Sequence, residues 1–237
     1  MSIYLQGLER AVSLILSGDQ ELYEITFRSL YVSSTAVIIA GLIGVPIGTW
    51  LGTLRTFLFK NIFIRIIYVL MGLPPVLAGL ILYLLLSRSG PIADYFYILY
   101  TPLAMMLAQL MLALPIVIGL VYVVAEEKAP IVMATAKSLG ANRWQTLTTL
   151  IREIRFPAIA ALISAFGRVI AEVGAVMLVG GDIAGKTRVL TTSIVIETRK
   201  GNFDLAIALG LVLLLMSFII NSLLFSWQQG RKSYDRS

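Results

Sequence analysis

Apolar residues along this chain fall into long runs separated by short polar segments, without the alternation of half-buried strands. A helix rises about 1.5 Å per residue, so crossing about 30 Å of hydrocarbon takes about 20 mostly apolar residues. Five stretches meet that requirement: Tyr31–Thr53, Ile62–Leu86, Ile98–Ala125, Pro157–Gly181 and Phe203–Trp227. Lipid offers no partner to a free backbone N–H or C=O, so each stretch is expected to be a helix. Ahead of them, Ile3, Leu8, Val12, Leu14, Ile15 and Leu16 are interrupted by Gln6, Glu9 and Arg10. Residues 1–18 are too short and too charged to span, and read as an interfacial amphipathic helix ending near Gly18. The expected fold is all-α: a polytopic membrane protein with five transmembrane helices in residues 22–227 and a tail over 228–237.

Composition strengthens that reading. Of 237 residues, 58% are hydrophobic and 14% charged, where a soluble domain carries about 25% charged residues. There is no Cys and no His, which removes disulfides, thiol chemistry, imidazole ligands and the most frequent general base near neutral pH. A net charge of +6 would suit nucleic acid, but Lys and Arg lie between the apolar runs, as in membrane proteins. The first 17 residues, with Glu9 and Arg10 midway, do not follow a signal-peptide pattern.

Charge also suggests an orientation. Arg55, Lys60, Arg65, Lys128, Lys137, Arg143, Arg152, Arg155, Arg231, Lys232 and Arg236 share one side, eleven in all. Arg10, Arg28, Arg88, Lys186, Arg188, Arg199 and Lys200 make seven on the other. The richer side is expected to be cytoplasmic, with the N-terminus outside and the C-terminus inside.

The longest connection, residues 126–156, falls on that cytoplasmic side. Pro130 suits a first helical position, and Gly140 is a natural stop after Ile131–Leu139. A second helix then carries Trp144, Leu147, Leu150, Ile151 and Ile154 at spacings of three and four. Two short helices are therefore expected to meet at a Gly-Ala corner.

The run Ala134-Thr135-Ala136-Lys137-Ser138-Leu139-Gly140-Ala141 resembles the loop by which permease subunits of ABC importers couple to their ATPase, with Ala134 where that family usually has Glu. The stretch FGRVIAEVGAVMLVGGDIAGKTRVLTTSIVIE, from Phe166 on, is similar to permeases of the molybdate and tungstate group, nearest the tungstate-type branch. The resemblance implies the type I ABC importer permease fold, with residues 134–141 docking on the ATP-binding subunit. It also implies two ATP-binding subunits, an extracytoplasmic oxyanion-binding protein, and ATP used by the partner. No cofactor is expected on this chain. One coupling loop per chain suggests a homodimer. Another oxyanion such as sulfate or phosphate would be the nearest alternative cargo. A passive channel or structural membrane protein is the alternative of another class.

Several positions invite chemistry. Gly180–Thr187 fits G-x-x-x-x-G-K-[ST] letter for letter, yet that motif needs a preceding strand and a nucleotide domain, and here it follows an apolar helix. Lys186, Arg188, Arg199 and Lys200 form a basic cluster that could dock the receptor or attract an anion; ordinary solvated loop charge is the plainer alternative. Arg168, eleven residues after Pro157, falls about 16 Å into its span, where charge is costly. Glu172, four residues on, is expected on the same helix face, so the pair either lines or gates the pathway, or neutralises itself. Gln109 and Asn221 are further lining candidates. Gly44, Gly48 and Gly52, with Gly41, form a small-residue stripe for helix packing or a subunit contact. Pro74, Pro75 and Pro115 would kink helices or free backbone donors.

Overall fold

The computed structural model describes residues 3–54, 58–88, 90–91 and 97–234. Arg55 and Arg236, two of the residues used for orientation, and the end of the tail lie outside them. Ten helices account for nearly all described residues: α1 Ile3–Leu16, α2 Gln20–Thr53, α3 Leu58–Met71, α4 Pro75–Leu86, α5 Pro102–Ser138, α6 Arg143–Glu153, α7 Arg155–Ile170, α8 Gly174–Gly180, α9 Leu190–Arg199 and α10 Phe203–Tyr234.

Among the described residues three helices are long and apolar enough to cross a membrane alone: Gln20–Thr53, Pro102–Ser138 and Phe203–Ser222. Two more crossings arise if each bent pair counts as one, Lys60–Met71 with Pro75–Leu86 (101°) and Arg155–Ile170 with Gly174–Gly180 (62°). The apolar runs thus become helices, but their ends differ from expectation. α2 starts at Gln20, well before Tyr31, because Asp19 caps it: its Oδ1 accepts from the Leu22 N–H at 2.8 Å. At 34 residues α2 is about 51 Å long, so its charged first turns outrun any hydrocarbon core.

α5 also departs from expectation. Pro130 lies inside this helix rather than opening a new one, and the helix runs unbroken for 37 residues past Pro115 and Pro130. A proline removes one helical hydrogen bond, and packing outweighs that loss here: Ala125, Ala129 and Ala136 are all buried. Pro74 and Pro75 do more than kink. Pro74 is the N-cap of α4 and Pro75 its first residue, so the chain turns through 101° between α3 and α4.

The chain divides into two compact units. The first comprises Met1–Thr35, Pro74–Gln109 and Val169–Leu223. In it the short halves α4 and α8 lie backbone to backbone: a Cβ on Gly79 would fall 2.6 Å from the Ala175 Cα, and one on Gly174 would fall 2.7 Å from Val76. α1 rests on α10 in the same way, Gly7 against Ile207, with Arg10 paired to Asp204 at 2.9 Å.

The second unit comprises Ala36–Leu73, Leu110–Arg168 and Leu224–Ser237. Its glycine stripe faces α5 of the same chain: added Cβ atoms on Gly44, Gly48 and Gly52 would meet Val117, the Ile118 carbonyl and Ala125 within 2.9 Å, while Gly41 meets Leu162. The stripe is packing within one chain, so these positions are closed to a subunit contact. Leu51, Ile67, Ile118 and Tyr122 form a core cluster beside it. Lys60, 5% exposed, reaches Glu126 at 2.8 Å and the Leu54 carbonyl at 2.9 Å, a long-range pair that no spacing rule reveals.

Candidate functional site: the capped corner and the broken span

In the second unit, the corner between α5 and α6 is built from two back-to-back caps. Gly140 adopts φ +74°, the left-handed region that costs most residues energy and glycine none. Its N–H donates to the Lys137 carbonyl at 3.1 Å, and the Ala141 N–H to the Ala136 carbonyl at 2.9 Å. Those two bonds form the Schellman stop. At once Asn142 starts α6 with a reciprocal capping box: Asn142 Oδ1 accepts from the Gln145 N–H, and Gln145 Oε1 accepts from the Asn142 N–H. The Asn-x-x-Gln spacing is the local sequence signal for this box, which the glycine alone does not reveal.

Leu150 and Ile154 are fully buried and anchor α6. By contrast Leu139 is 80% and Trp144 76% exposed. Ala134, Thr135, Lys137, Ser138 and Gly140 are exposed too, Ala141 is half-buried, and only Ala136 of residues 134–141 faces inward. Among the described residues neither Lys137 nor Arg143 forms an ion pair. A rigid turn therefore presents apolar side chains beside unpaired cations.

The break itself and α8 belong to the first unit, while α7 up to Arg168 belongs to the second. α7 ends at Ile170 and α8 starts at Gly174, so Glu172 does not continue the helix that carries Arg168. The expected shared face is absent: Arg168 sits exposed in the last turn, while Glu172 is 8% exposed within the break. The cause is local. Glu172 Oε1 accepts from the Ala175 N–H at 3.1 Å, which starts a new helix in place of continuing the old one.

Two other elements hold the break. Thr191 of α9 donates its hydroxyl to the Glu172 carbonyl at 3.1 Å. Gln109 of α5 donates Nε2 to the Val169 carbonyl at 3.0 Å, an acceptor shared with the Glu172 N–H. Gln109 is 4% exposed and its Oε1 has no partner among the described residues, which costs free energy in a buried site. Thr191 was not foreseen, since nothing local links it to Glu172. Asn221 donates to the Ser217 carbonyl one turn back on its own helix.

The segment Gly180–Thr187 is a tight loop after a helix. Gly181 and Gly185 both have φ +71°. The Thr187 hydroxyl, which a phosphate loop would turn toward a metal ion, donates instead to the Gly180 carbonyl at 2.6 Å and accepts from the Ile183 N–H. Around it the basic cluster is largely answered by acids. Arg188 pairs with Glu21 at 2.9 Å and Asp182 at 3.3 Å, and Lys200 with Glu197 at 2.7 Å. Lys186 and Arg199 remain exposed. Arg28 donates to the carbonyls of Gly185 and Arg188. The Lys200 ammonium, then the Asn202 amide, hold the Glu197 carboxyl below the usual carboxylate range.

Long apolar helices and two bent pairs define a polytopic helical membrane protein, with a capped, solvent-exposed corner. The chain belongs to the family of binding-protein-dependent transport system inner membrane components, which matches residues 44–230. It is 41% identical to the tungstate uptake system permease protein TupB of Peptoclostridium acidaminophilum, over 97% of this chain and 100% of that one. It is 39% identical to the protein of the same name from Campylobacter jejuni, over 91% of this chain and 89% of that one. A probable anion ABC transporter permease of Haloferax volcanii is 39% identical over 85% of this chain and 88% of its own length.

Proposed function

We propose that this chain is the membrane-spanning subunit of an ATP-driven importer that carries tungstate, and molybdate with it, across the plasma membrane. The observation that carries the reading is identity of 41% and 39%, over nearly the whole chain, to two permeases named for tungstate uptake. Two copies would form the pore, each gripped by an ATP-binding subunit, with an extracytoplasmic oxyanion-binding protein delivering the anion. ATP would be bound by the partner alone.

The excess of Lys and Arg on one side supports a cytoplasmic corner, an external N-terminus and an internal C-terminus. Rigidity at the corner supports a lever: a turn capped on both sides moves as one piece. The breaks at 72–74 and 171–173 are where long helices can change angle, as alternating access requires. Within that scheme Arg168, exposed at the end of α7, attracts the oxyanion. Glu172 and Gln109 hold the gate in register, and Asn221 lines the path. Lys186 and Arg199, both exposed, offer their charge to the receptor, together with Arg188 and Lys200, which are held by acids.

The test is tungsten accumulation, read by elemental mass spectrometry, in cells lacking their own tungstate importer and given this chain with its partner subunits. Uptake should appear, should fall with excess molybdate, and should be indifferent to excess sulfate or phosphate. Competition by sulfate or phosphate at similar strength would assign another oxyanion. Replacing Arg168 by Ala should slow uptake about ten-fold, the equivalent of about 1.4 kcal/mol, with the amount of membrane protein unchanged. Equal losses of uptake and protein would make Arg168 structural.

A further inference from the structure

Among the described residues only two other than glycine adopt the left-handed backbone region, Tyr100 at φ +60° and Asp182 at φ +49°. Both belong to the first unit, and both touch the same glycine, Asp182 in sequence and Tyr100 in space. Gly181, itself at φ +71°, closes α8 with its N–H on the Met177 carbonyl at 2.9 Å. An added Cβ there would fall 2.8 Å from the Tyr100 ring, so the ring is seated on the bare glycine. The Tyr100 N–H donates to the Val179 carbonyl at 2.9 Å, and its phenol meets that of Tyr83 on α4. On the other side of the glycine, the Asp182 carboxylate accepts from the Thr192 hydroxyl and pairs with Arg188 at 3.3 Å.

For a bulky residue a positive φ is a true outlier, and it persists only where the surroundings over-determine it. A glycine at position 100 would make the same turn without strain. The tyrosine adds a ring, and with it a grip on α8. We propose that Tyr100 is a positioning residue of the gate, a strained latch that fixes the last turn of α8 to the start of α5 and lets go when α8 turns about the break at 171–173. Seated, it holds α8 in line. Released, it regains a relaxed backbone, which offsets part of the loss of its contacts with Gly181 and Val179. Because Arg188 grips Asp182, the charged loop after α8 is joined to the residue next to the latch. A partner that draws Arg188 away would loosen the same turn. The part the latch plays in transport rests on the importer reading; its existence does not.

The chain has no cysteine, so Val179→Cys, at a fully buried position beside the latch, reports release through its rate of reaction with a small methanethiosulfonate. The full-length chain is used in membranes with its partner subunits, and Val32→Cys, at a position 1% exposed on α2, is the reference site. Tyr100→Phe should leave the rate at Val179→Cys as it was, since the ring stays. Tyr100→Ala should raise it about ten-fold and Tyr100→Gly only about two-fold, because glycine keeps the backbone bond to Val179 without the left-handed cost that alanine carries. Val32→Cys should react at one rate throughout. No change with Tyr100→Ala, or equal rates with Ala and Gly, would overturn the proposal. Matching acceleration at Val32→Cys would mark general loosening and overturn it equally. Tungsten uptake by the unsubstituted chain is scored separately: its absence would remove the importer reading, while the order of labelling rates alone decides the latch.

Discussion

Two corners of this molecule share a backbone and differ in everything around it. At Gly140, in the second unit, and at Gly201, in the first, a glycine at φ +74° or +83° closes a helix and an Asn within two residues helps to organise the next. The Asn202 N–H returns to the Glu197 carbonyl at 2.9 Å, as the Ala141 N–H does to that of Ala136. An added Cβ meets nothing within 4 Å at either glycine. At Gly201 the polar side chains answer one another: Lys200 and Asn202 both donate to Glu197 at 2.7 Å. At Gly140 they do not. Lys137 and Arg143 lack acids among the described residues, and Leu139 and Trp144 stand in the open. The same turn is self-sufficient in one place and unfinished in the other. An unfinished polar and apolar surface on a rigid turn is what a docking site needs before its partner arrives.

The comparison can be broken at the glycines first. Gly140→Val and Gly201→Val both force a β-branched residue into the left-handed region, at about 1–2 kcal/mol each. Thermal unfolding of the purified chain should drop alike for both. Co-purification of the ATPase should be lost only with Gly140→Val; equal loss with both would mean the turn matters merely as structure.

Weakened binding, in place of the outright loss of co-purification, is expected from Leu139→Asp. Removing an exposed apolar anchor from a partner surface costs about 2 kcal/mol of binding, roughly 30-fold, with the chain's own stability unchanged. Binding to the isolated ATPase, measured by interferometry, reads it directly.

The smallest effect belongs to the self-sufficient corner. Because the folded state holds the Glu197 carboxyl below its ordinary value, the pair with Lys200 stabilises above the unfolded pKa and loses its effect as pH falls through the folded one. Glu197→Gln should cost about 0.2–1 kcal/mol at pH 7 and nothing once the wild-type carboxyl is protonated. A difference that persists in acid would mean the amide network, not the charge, holds Gly201.

Much of this architecture was legible before any coordinates. Apolar runs of spanning length had only one solution in lipid, and Gly140 announced its turn. Legibility failed where partners are distant in sequence. Pro130 looked like a helix start because its local cost is visible and the buried alanines around it are not. Glu172 was assigned to the face of Arg168 on spacing alone, whereas its carboxylate caps α8 and ends that face. Asp182 and Glu197 stand near the basic cluster in sequence and offset it, but Glu21, the second acid that answers Arg188, lies 167 residues away. Asn142 and Gln145 form the opposite case, a local signal that stood in plain view.

The native chain contains no cysteine, so a single one introduced at Leu139 can be labelled without background. A membrane-impermeant maleimide should reach it in inverted vesicles but not in intact cells, and bound ATPase should block the reaction. Labelling from outside intact cells, or labelling in vesicles that the ATPase leaves unchanged, would contradict the account of this corner as the dock for the energy-supplying subunit.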